Sequence, residues 1–383
     1  MPAATGGIET EFGVYVHIPF CSKRCGYCAF ATSVGKLDLA PDYVDACIAD
    51  ITRAKKDGSL PRPTTVFVGG GTPSLLPEGF LERLLGAIDP APGAEVTVEA
   101  NPESATQDFF SEAKRSGVTR ISLGAQSLAQ HVLFDLDRTH TPGAVAGAVR
   151  AIGEVGFPTF NLDLIYGSVA ESDADLAATL EEVLYFEPSP PHVSAYALTV
   201  EAGTLLSRDP TRHPDDDVLA RRYEMVDDRL RAAGLDWYEI SNWARPGHEC
   251  RHNLACWRGA EYLGFGCAAH SHFAGERFAN VSSPERYIER VRTGRSPVAW
   301  TERLEPDARA LELLELSLRT RNGVRSAALD EGDPLLADLV SFGEGRAVLT
   351  RKGRLLANEV AIRLRVGAAD GPPQGAQPLA KRA

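Results

Sequence analysis

Short runs of β-branched residues alternate with amphipathic stretches of helical length from Val14 to about Ile240, and this rhythm constrains the fold more than any other feature. Repeated β-α units of this kind build a parallel α/β sheet covered by helices. Strands are expected at Val14–Ile18, Thr65–Val68, Glu95–Val98, Thr119–Leu123, Thr159–Ile165 and His192–Leu198, with a weaker one at Trp237–Ile240. The apolar spacing of Phe80, Leu81, Leu84, Leu85 and Ile88 reads as a helix, and Thr141 followed by Pro142 opens another. Such units either close as a barrel or lie open as a doubly wound sheet. Periodicity does not choose, because both bury parallel strands fully.

A chain of 383 residues has room for a domain of roughly 250 residues and a smaller appendage. A loop-rich stretch runs from Pro246 to Pro297. Beyond Glu305 come a helical pattern at Ala308–Leu318, a strand-like Ala347–Thr350 and a last helix at Leu355–Leu364. The domains expected are an arm over 1–12, the main α/β domain over 13–245, a linker region over 246–304, a C-terminal domain over 305–366 and a tail over 367–383. The tail, rich in Gly, Ala, Pro and Gln, is expected to be disordered.

Lys and Arg total 40 against 52 Asp and Glu, a net charge of -12 that repels nucleic-acid phosphates. Arg351, Lys352 and Arg354 accordingly read as a solvated face. The N-terminus lacks a basic region followed by an apolar one, and no run of about 18 apolar residues occurs. A cytoplasmic protein that does not span a membrane is expected.

Seven cysteines are too few and too scattered for a disulfide framework, yet Cys21, Cys25 and Cys28 cluster directly after the first strand. Parallel β-α folds place their active sites at that end of the strands. A C-x3-C-x2-C loop wraps a 4Fe-4S cubane and supplies three thiolates where a fully protein-ligated cluster takes four, so one iron stays open. The rival reading is a zinc-stabilised, non-redox binding module with His17 as fourth ligand, although structural zinc sites favour regular paired spacings. Cys47 falls on an apolar helix face with Tyr43, Val44, Ile48 and Ile51 and reads as core. Cys267 reads as a small buried residue.

Gly69-Gly70-Gly71-Thr72-Pro73 follows the second strand, where glycines let backbone groups approach a ligand. Polar residues then recur at later strand ends: Glu99, Gln126 and Asp163. A carboxylate within the apolar run Asn161–Ile165 is costly unless paired or ligand-bound, which makes Asp163 the most telling. Arg138 is either an anion clamp or an ordinary surface arginine.

Together these residues resemble radical S-adenosylmethionine (SAM) enzymes. Tyr15–Cys21, Val98–Pro102, Asp163–Gly167 and Tyr238–Asn242 are similar to the HemW-type heme chaperones, a branch related to oxygen-independent coproporphyrinogen III oxidase. The resemblance runs from about Gly13 to Leu364. It implies a partial (β/α)6 TIM-like barrel with a small C-terminal winged-helix-like domain, and SAM chelating the open iron. Carried over by position, Tyr15, Tyr27, Gly70, Gly71, Thr72, Glu99, Gln126, Arg138 and Asp163 would surround SAM. The implied partners are heme or porphyrin, heme-accepting respiratory proteins with peripheral membrane contact, and a one-electron donor.

The branch point between chaperone and oxidase, and hence whether the chain is an enzyme, rests on few residues. Phe30 stands where the oxidase has a further cysteine, and Arg251–Trp257 resembles a His-Asn-x-x-Tyr-Trp motif of the chaperones. Cys256 occupies its tyrosine position. His252 and Cys256 are therefore candidate heme contacts, or His252 merely bonds the loop that closes the barrel floor. Ala29, Asp137 and Ser168-Val169-Ala170 also depart from the family pattern, and Asp137 is positioned to draw Arg138 away from a ligand carboxylate.

Overall fold

Six strands carry the β-α rhythm in the computed structural model, which describes residues 11–367. They are β1 (Phe12–Ile18), β2 (Thr65–Gly70), β3 (Glu95–Ala100), β4 (Arg120–Gln126), β5 (Thr159–Tyr166) and β6 (His192–Ala197). They lie side by side in chain order and every neighbouring pair is parallel. The arm and tail expected at the two ends lie outside the described residues apart from their innermost positions.

Alternation along β1 shows how the sequence sorts its faces. Val14, Val16 and Ile18 are fully buried, while Tyr15 and His17 take the opposite face, towards the interior of the curved sheet. The helices cover the outside. In α1 (Ala40–Lys56), Tyr43, Val44, Cys47 and Ile51 are fully buried, so Cys47 belongs to the core as its helical spacing predicts. In the helix Pro142–Val155, the Thr141 hydroxyl accepts from Ala144 N–H, and Gly156 at φ 78° ends it.

The sheet is longer than the rhythm announces. Its full order adds β7 (Asp236–Glu239) and β8 (Asn242–Ala244) beyond β6, both antiparallel. On the other flank β9 (Glu261–Phe265) runs parallel to β1, followed by the antiparallel β10 (His270–Phe273), β11 (Glu276–Asn280) and β12 (Val298–Arg303). The terminal strands β12 and β7 do not meet, so the barrel is partial.

Two expectations are corrected. The strand near Trp237–Ile240 is not a further parallel repeat but half of an antiparallel pair. The expected linker region 246–304, read as loop-rich from Pro246 to Pro297, holds a helix at Arg251–Trp257, four strands and a helix at Pro284–Arg292. These strands are short and rich in His, Arg, Glu and Gly, which hides them from a pattern search. The Ala274-Gly275 turn, with φ of 51° and 77°, was the available hairpin signal.

Residues from Pro306 onward build their own core from Leu314, Leu318, Val324, Leu336, Val340, Leu349 and Val360. A helix, Pro306–Leu318, packs with a three-stranded antiparallel sheet, and the single last helix expected is two short ones, Arg351–Leu355 and Ala357–Ala361. Arg354 corrects the solvated-face reading. It is buried, and both its Nη atoms donate to the fully buried Asp227 carboxylate at 2.9 Å. Its guanidinium also lies over the Trp237 ring at 4.6 Å. Arg351 and Lys352 remain at the surface, paired with Asp228 and Asp338.

Candidate functional site

The C-terminal ends of the parallel strands open onto a cavity of about 590 Å³. Cys21, Cys25 and Cys28 line its upper wall, joined by Tyr27, Gly70, Gly71, Thr72, Glu99, Gln126, Arg138 and Asp163. These residues come from the loops or ends of five strands, so residues up to 142 positions apart share one wall because each β-α unit ends at the same level.

Each has a local reason for its place. Gly70 has φ 114°, and a side chain on Gly71 would meet Phe20 O at 2.7 Å, so the glycine turn is packed against the cysteine loop at backbone distance. Gly70 N–H donates to Glu99 Oε2 at 2.9 Å. A register shift between Gly124 and Gln126 puts Gln126 at φ 62° and bends the end of β4 into the cavity. A side chain at Gly124 would strike the Gln126 amide at 2.8 Å. Tyr27 packs on the small apolar cluster of Val132, Leu136, Leu198 and Leu206.

Arg138 is not an ordinary surface arginine. Its Nη2 donates to Asn101 Oδ1 at 2.8 Å and to Gly124 O at 3.3 Å, and its Nη1 lies 3.7 Å from Cys25 Sγ. Its Nε has no hydrogen-bond partner. Asp137 does not hold it: the Asp137 carboxylate pairs with Lys23 at 3.0 Å on the other side of the loop, at φ 57°. The departure Ser168-Val169-Ala170 is likewise fixed locally, by Ser168 Oγ donating to Asp135 at 2.5 Å and Gly167 N–H donating to Glu171 at 2.8 Å.

The electrostatics favour a ligand with both charges and hydroxyls. Burial, reinforced by the Asp163 charge, pushes the Glu99 carboxyl up to about 8, against the pull of the Gly70 N–H. Burial also raises Asp163, although Ser122 Oγ at 2.8 Å and Asn161 Nδ2 at 2.9 Å donate to it. Two carboxyl groups held in a recess with few permanent cations need a polar or cationic occupant.

The donor set also fits a cluster. Thr72 Oγ1 donates to Cys21 Sγ at 3.6 Å and Arg138 reaches Cys25, so two of the three sulfurs already face hydrogen-bond donors, which stabilise thiolates. His17, the fourth ligand of the zinc reading, is committed elsewhere. Its Nε2 pairs with Ala31 O at 2.8 Å and its Nδ1 with the Tyr15 hydroxyl at 3.0 Å. Among the described residues no three His, Cys, Asp or Glu side chains converge on a single ion.

Not every expected residue reaches the cavity. Tyr15 does not line the cavity: it is held by His17 and stacks at 6.3 Å on Phe67, which does. His252 and Cys256 belong to the helix Arg251–Trp257 at the opposite end of the strands. There His252 Nδ1 pairs with Thr65 Oγ1 at 3.0 Å, and Glu95 accepts from His252 N–H at 3.0 Å. Burial lowers the His252 imidazole to about 4 and pushes the Cys256 thiol up to about 11. The neighbours Cys250 and Asn253 do line the lower cavity.

Sequence reasoning missed the interior polar layer of Ser122, Asn161, His192, Ser194 and Tyr196, all on the cavity wall. Arg120, fully buried below it, donates to Asn161 Oδ1 at 3.3 Å and contacts His192. The available signal was polar residues two apart, Asn161 with Asp163 and Arg120 with Ser122, inside otherwise apolar strands.

Comparison with known proteins gives the same direction. Residues 15–183 match the radical SAM superfamily. Over 367 residues the chain is 47% identical to "Heme chaperone HemW" of Mycobacterium tuberculosis, covering 91% of this chain and 93% of that one. It is 37% identical over 289 residues to the HemW of Escherichia coli, covering 74% of each, and 31% identical over 369 residues to that of Bacillus subtilis, covering 90% and 97%. The solved structure of coproporphyrinogen III oxidase (HemN) from Escherichia coli superposes with a TM-score of 0.79 over 92% of this chain and 90% of that one, at 22% identity, which is a likeness of fold. With the cysteine loop, the glycine turn and the strand-end polar residues on one cavity wall, the chain belongs to the HemW family of the radical SAM superfamily.

Proposed function

We propose that this chain is a cytoplasmic heme chaperone that holds a 4Fe-4S cluster on Cys21, Cys25 and Cys28, binds SAM, and passes heme to respiratory hemoproteins. The observation that carries the reading is the shared cavity on which three thiols, a glycine turn, an arginine and two partly buried carboxyl groups converge. The 47% identity to a protein named a heme chaperone directs it towards heme. Among the described residues no helix is long and apolar enough to cross a membrane.

The roles follow from donors and acceptors. The Gly70 and Gly71 backbone suits the methionine ammonium of SAM, and Arg138 suits its carboxylate, since guanidinium and carboxylate pair through two parallel bonds. Glu99, Gln126 and Asp163 accept from or donate to the ribose hydroxyls. When bound, the cluster and SAM supply the one-electron cleavage chemistry of the superfamily, while the protein orients and shields them. Phe30, where the oxidase has a cysteine, favours the chaperone over porphyrinogen decarboxylation.

The test is anaerobic. The cluster is reconstituted, SAM and reductant are supplied, and heme titration is run beside an assay of protoporphyrinogen formation. Heme binding without turnover is expected. Turnover without heme binding would establish the oxidase, and zinc in place of iron and sulfide in protein purified without air would establish a non-redox module.

A further inference from the structure

Just past the end of β3, Asn101 stands between two residues that face cysteine sulfurs. Arg138 Nη2 donates to Asn101 Oδ1 at 2.8 Å, and Asn101 Nδ2 donates to Thr72 Oγ1 at 3.0 Å. Beyond them, Arg138 Nη1 lies 3.7 Å from Cys25 Sγ and Thr72 Oγ1 lies 3.6 Å from Cys21 Sγ. One amide thus links two of the three clustered thiols, in a continuous chain from Cys21 through Thr72, Asn101 and Arg138 to Cys25. The backbone pins that amide in place. Asn101 O accepts from Ser104 N–H at 3.0 Å and Ala105 N–H at 2.9 Å, and Asn101 N–H donates to Ser74 Oγ at 3.3 Å. Gly124 leaves the room, since a side chain there would meet Asn101 Oδ1 at 3.0 Å.

The polarity of this chain is forced. A guanidinium only donates, so the Asn101 carbonyl oxygen must face Arg138 and its NH2 must face Thr72. The Thr72 hydroxyl has one proton. Receiving from the amide, it keeps that proton for Cys21 Sγ. Hydrogen bonds to cluster sulfurs set the reduction potential, and they raise it by offsetting the charge that an added electron brings. Arg138 has a second acceptor within reach, because Glu103 Oε2 stands 3.9 Å from its Nη2. The Asn101 carbonyl is what keeps the guanidinium turned towards Cys25 in preference to that carboxylate.

We propose that Asn101 is a positioning residue for the cluster: through Thr72 it aims one donor at Cys21, through Arg138 it aims another at Cys25, and it thereby holds the reduction potential up. This rests on the cluster reading of the three cysteines above. It gives the strand-end motif Val98–Pro102 a second task beside the one assigned to Glu99.

The test is a potentiometric titration of the full chain, its cluster reconstituted without air and no SAM added, followed by visible absorbance and by electron paramagnetic resonance of the reduced cluster. Asn101→Ala is expected to lower the ratio of reduced to oxidised cluster at a given potential about tenfold, a shift of about 59 mV for one electron. Thr72→Val is expected to shift it in the same direction by less. The double variant should fall short of the sum, because both changes remove the same bond to Cys21. Poor folding lowers the yield of cluster and not the potential of the cluster that forms. If Asn101→Ala assembles none, Asn101→Asp carries the test. It keeps the shape and an acceptor for Arg138 but draws the Thr72 proton away from Cys21, so its potential is expected to fall, and to fall less in the Thr72→Val background. An added charge alone would act equally in both. An unchanged potential, or loss of the cluster in both Asn101 variants, overturns the proposal and leaves Asn101 a part of the fold. Strictly additive shifts also overturn it, since Asn101 then does not act through Thr72. Wild-type protein that takes up no iron and sulfide would sink the cluster reading itself, which is a distinct result.

Discussion

Replacing Arg354 by Met tests whether the C-terminal region is locked to the barrel by one buried ion pair. Asp227 is fully buried and receives both Arg354 Nη atoms at 2.9 Å and Trp243 Nε1 at 2.9 Å. Methionine fills much of the same volume but leaves the carboxylate with only Trp243 and the exposed Arg231 at 3.8 Å. Breaking a buried pair from one side costs about 3–5 kcal/mol, and the two remaining partners place this case near ~3 kcal/mol. With an m-value of ~3 kcal/mol/M the urea midpoint falls by ~1 M. Two of the four tryptophans, Trp237 and Trp243, sit at this contact, so intrinsic fluorescence reports it directly. Adding Asp227→Asn removes the uncompensated charge and should recover part of the loss, with a coupling of at least ~1 kcal/mol. The sign with pH is fixed as well. Hydrogen bonds and charge from Arg354 and Trp243, outweighing burial, hold the Asp227 carboxyl below its ordinary value. Its stabilising contribution is therefore present above about pH 4 and is lost as pH falls further, so the gap between wild type and Arg354→Met narrows in acid. A loss under ~1 kcal/mol with additive single and double variants would refute the account, since that is how an exposed pair behaves.

Other outcomes follow from the cavity. Cys25→Ala should abolish the visible absorbance of the reconstituted cluster while Cys47→Ala preserves it, because Cys47 is buried in α1 away from the cavity; equal loss from both would undo this division of the thiols. Glu99 has its folded-state carboxyl raised to about 8, so its ionisation penalises the native state increasingly as pH climbs from the ordinary carboxylate range to about 8. In cluster-free protein Glu99→Gln should raise the melting temperature near pH 9 and leave it nearly unchanged near pH 4, while weakening SAM binding measured by calorimetry; a uniform effect across pH would contradict the assigned burial.

Much of the site was legible because its signals are local. The cysteine spacing, the glycine run and Asp163 inside an apolar strand each announce themselves within a few residues, and the β-α rhythm places all of them at the same end of the strands. Arg138 was harder. Its neighbour Asp137 looked like a competitor, but left-handed backbone at Asp137 turns that carboxylate towards Lys23. The interior layer of Ser122, Asn161, His192 and Ser194 was missed because isolated polar residues in buried strands look like noise until curvature brings them onto one wall.

The sequence by itself determined the repeated β-α units, the burial of Cys47 in a helix face and the grouping of Cys21, Cys25 and Cys28 after the first strand, since period and spacing are properties of the chain. Only the tertiary structure decided that β9 borders β1, that Tyr15 is held by His17, that His252 lies beneath the barrel while Cys250 and Asn253 reach the cavity, and that Arg354 is buried against Asp227. Those outcomes depend on which strands become neighbours and in what register, a choice set by burial across the whole sheet, and no short stretch of sequence encodes it.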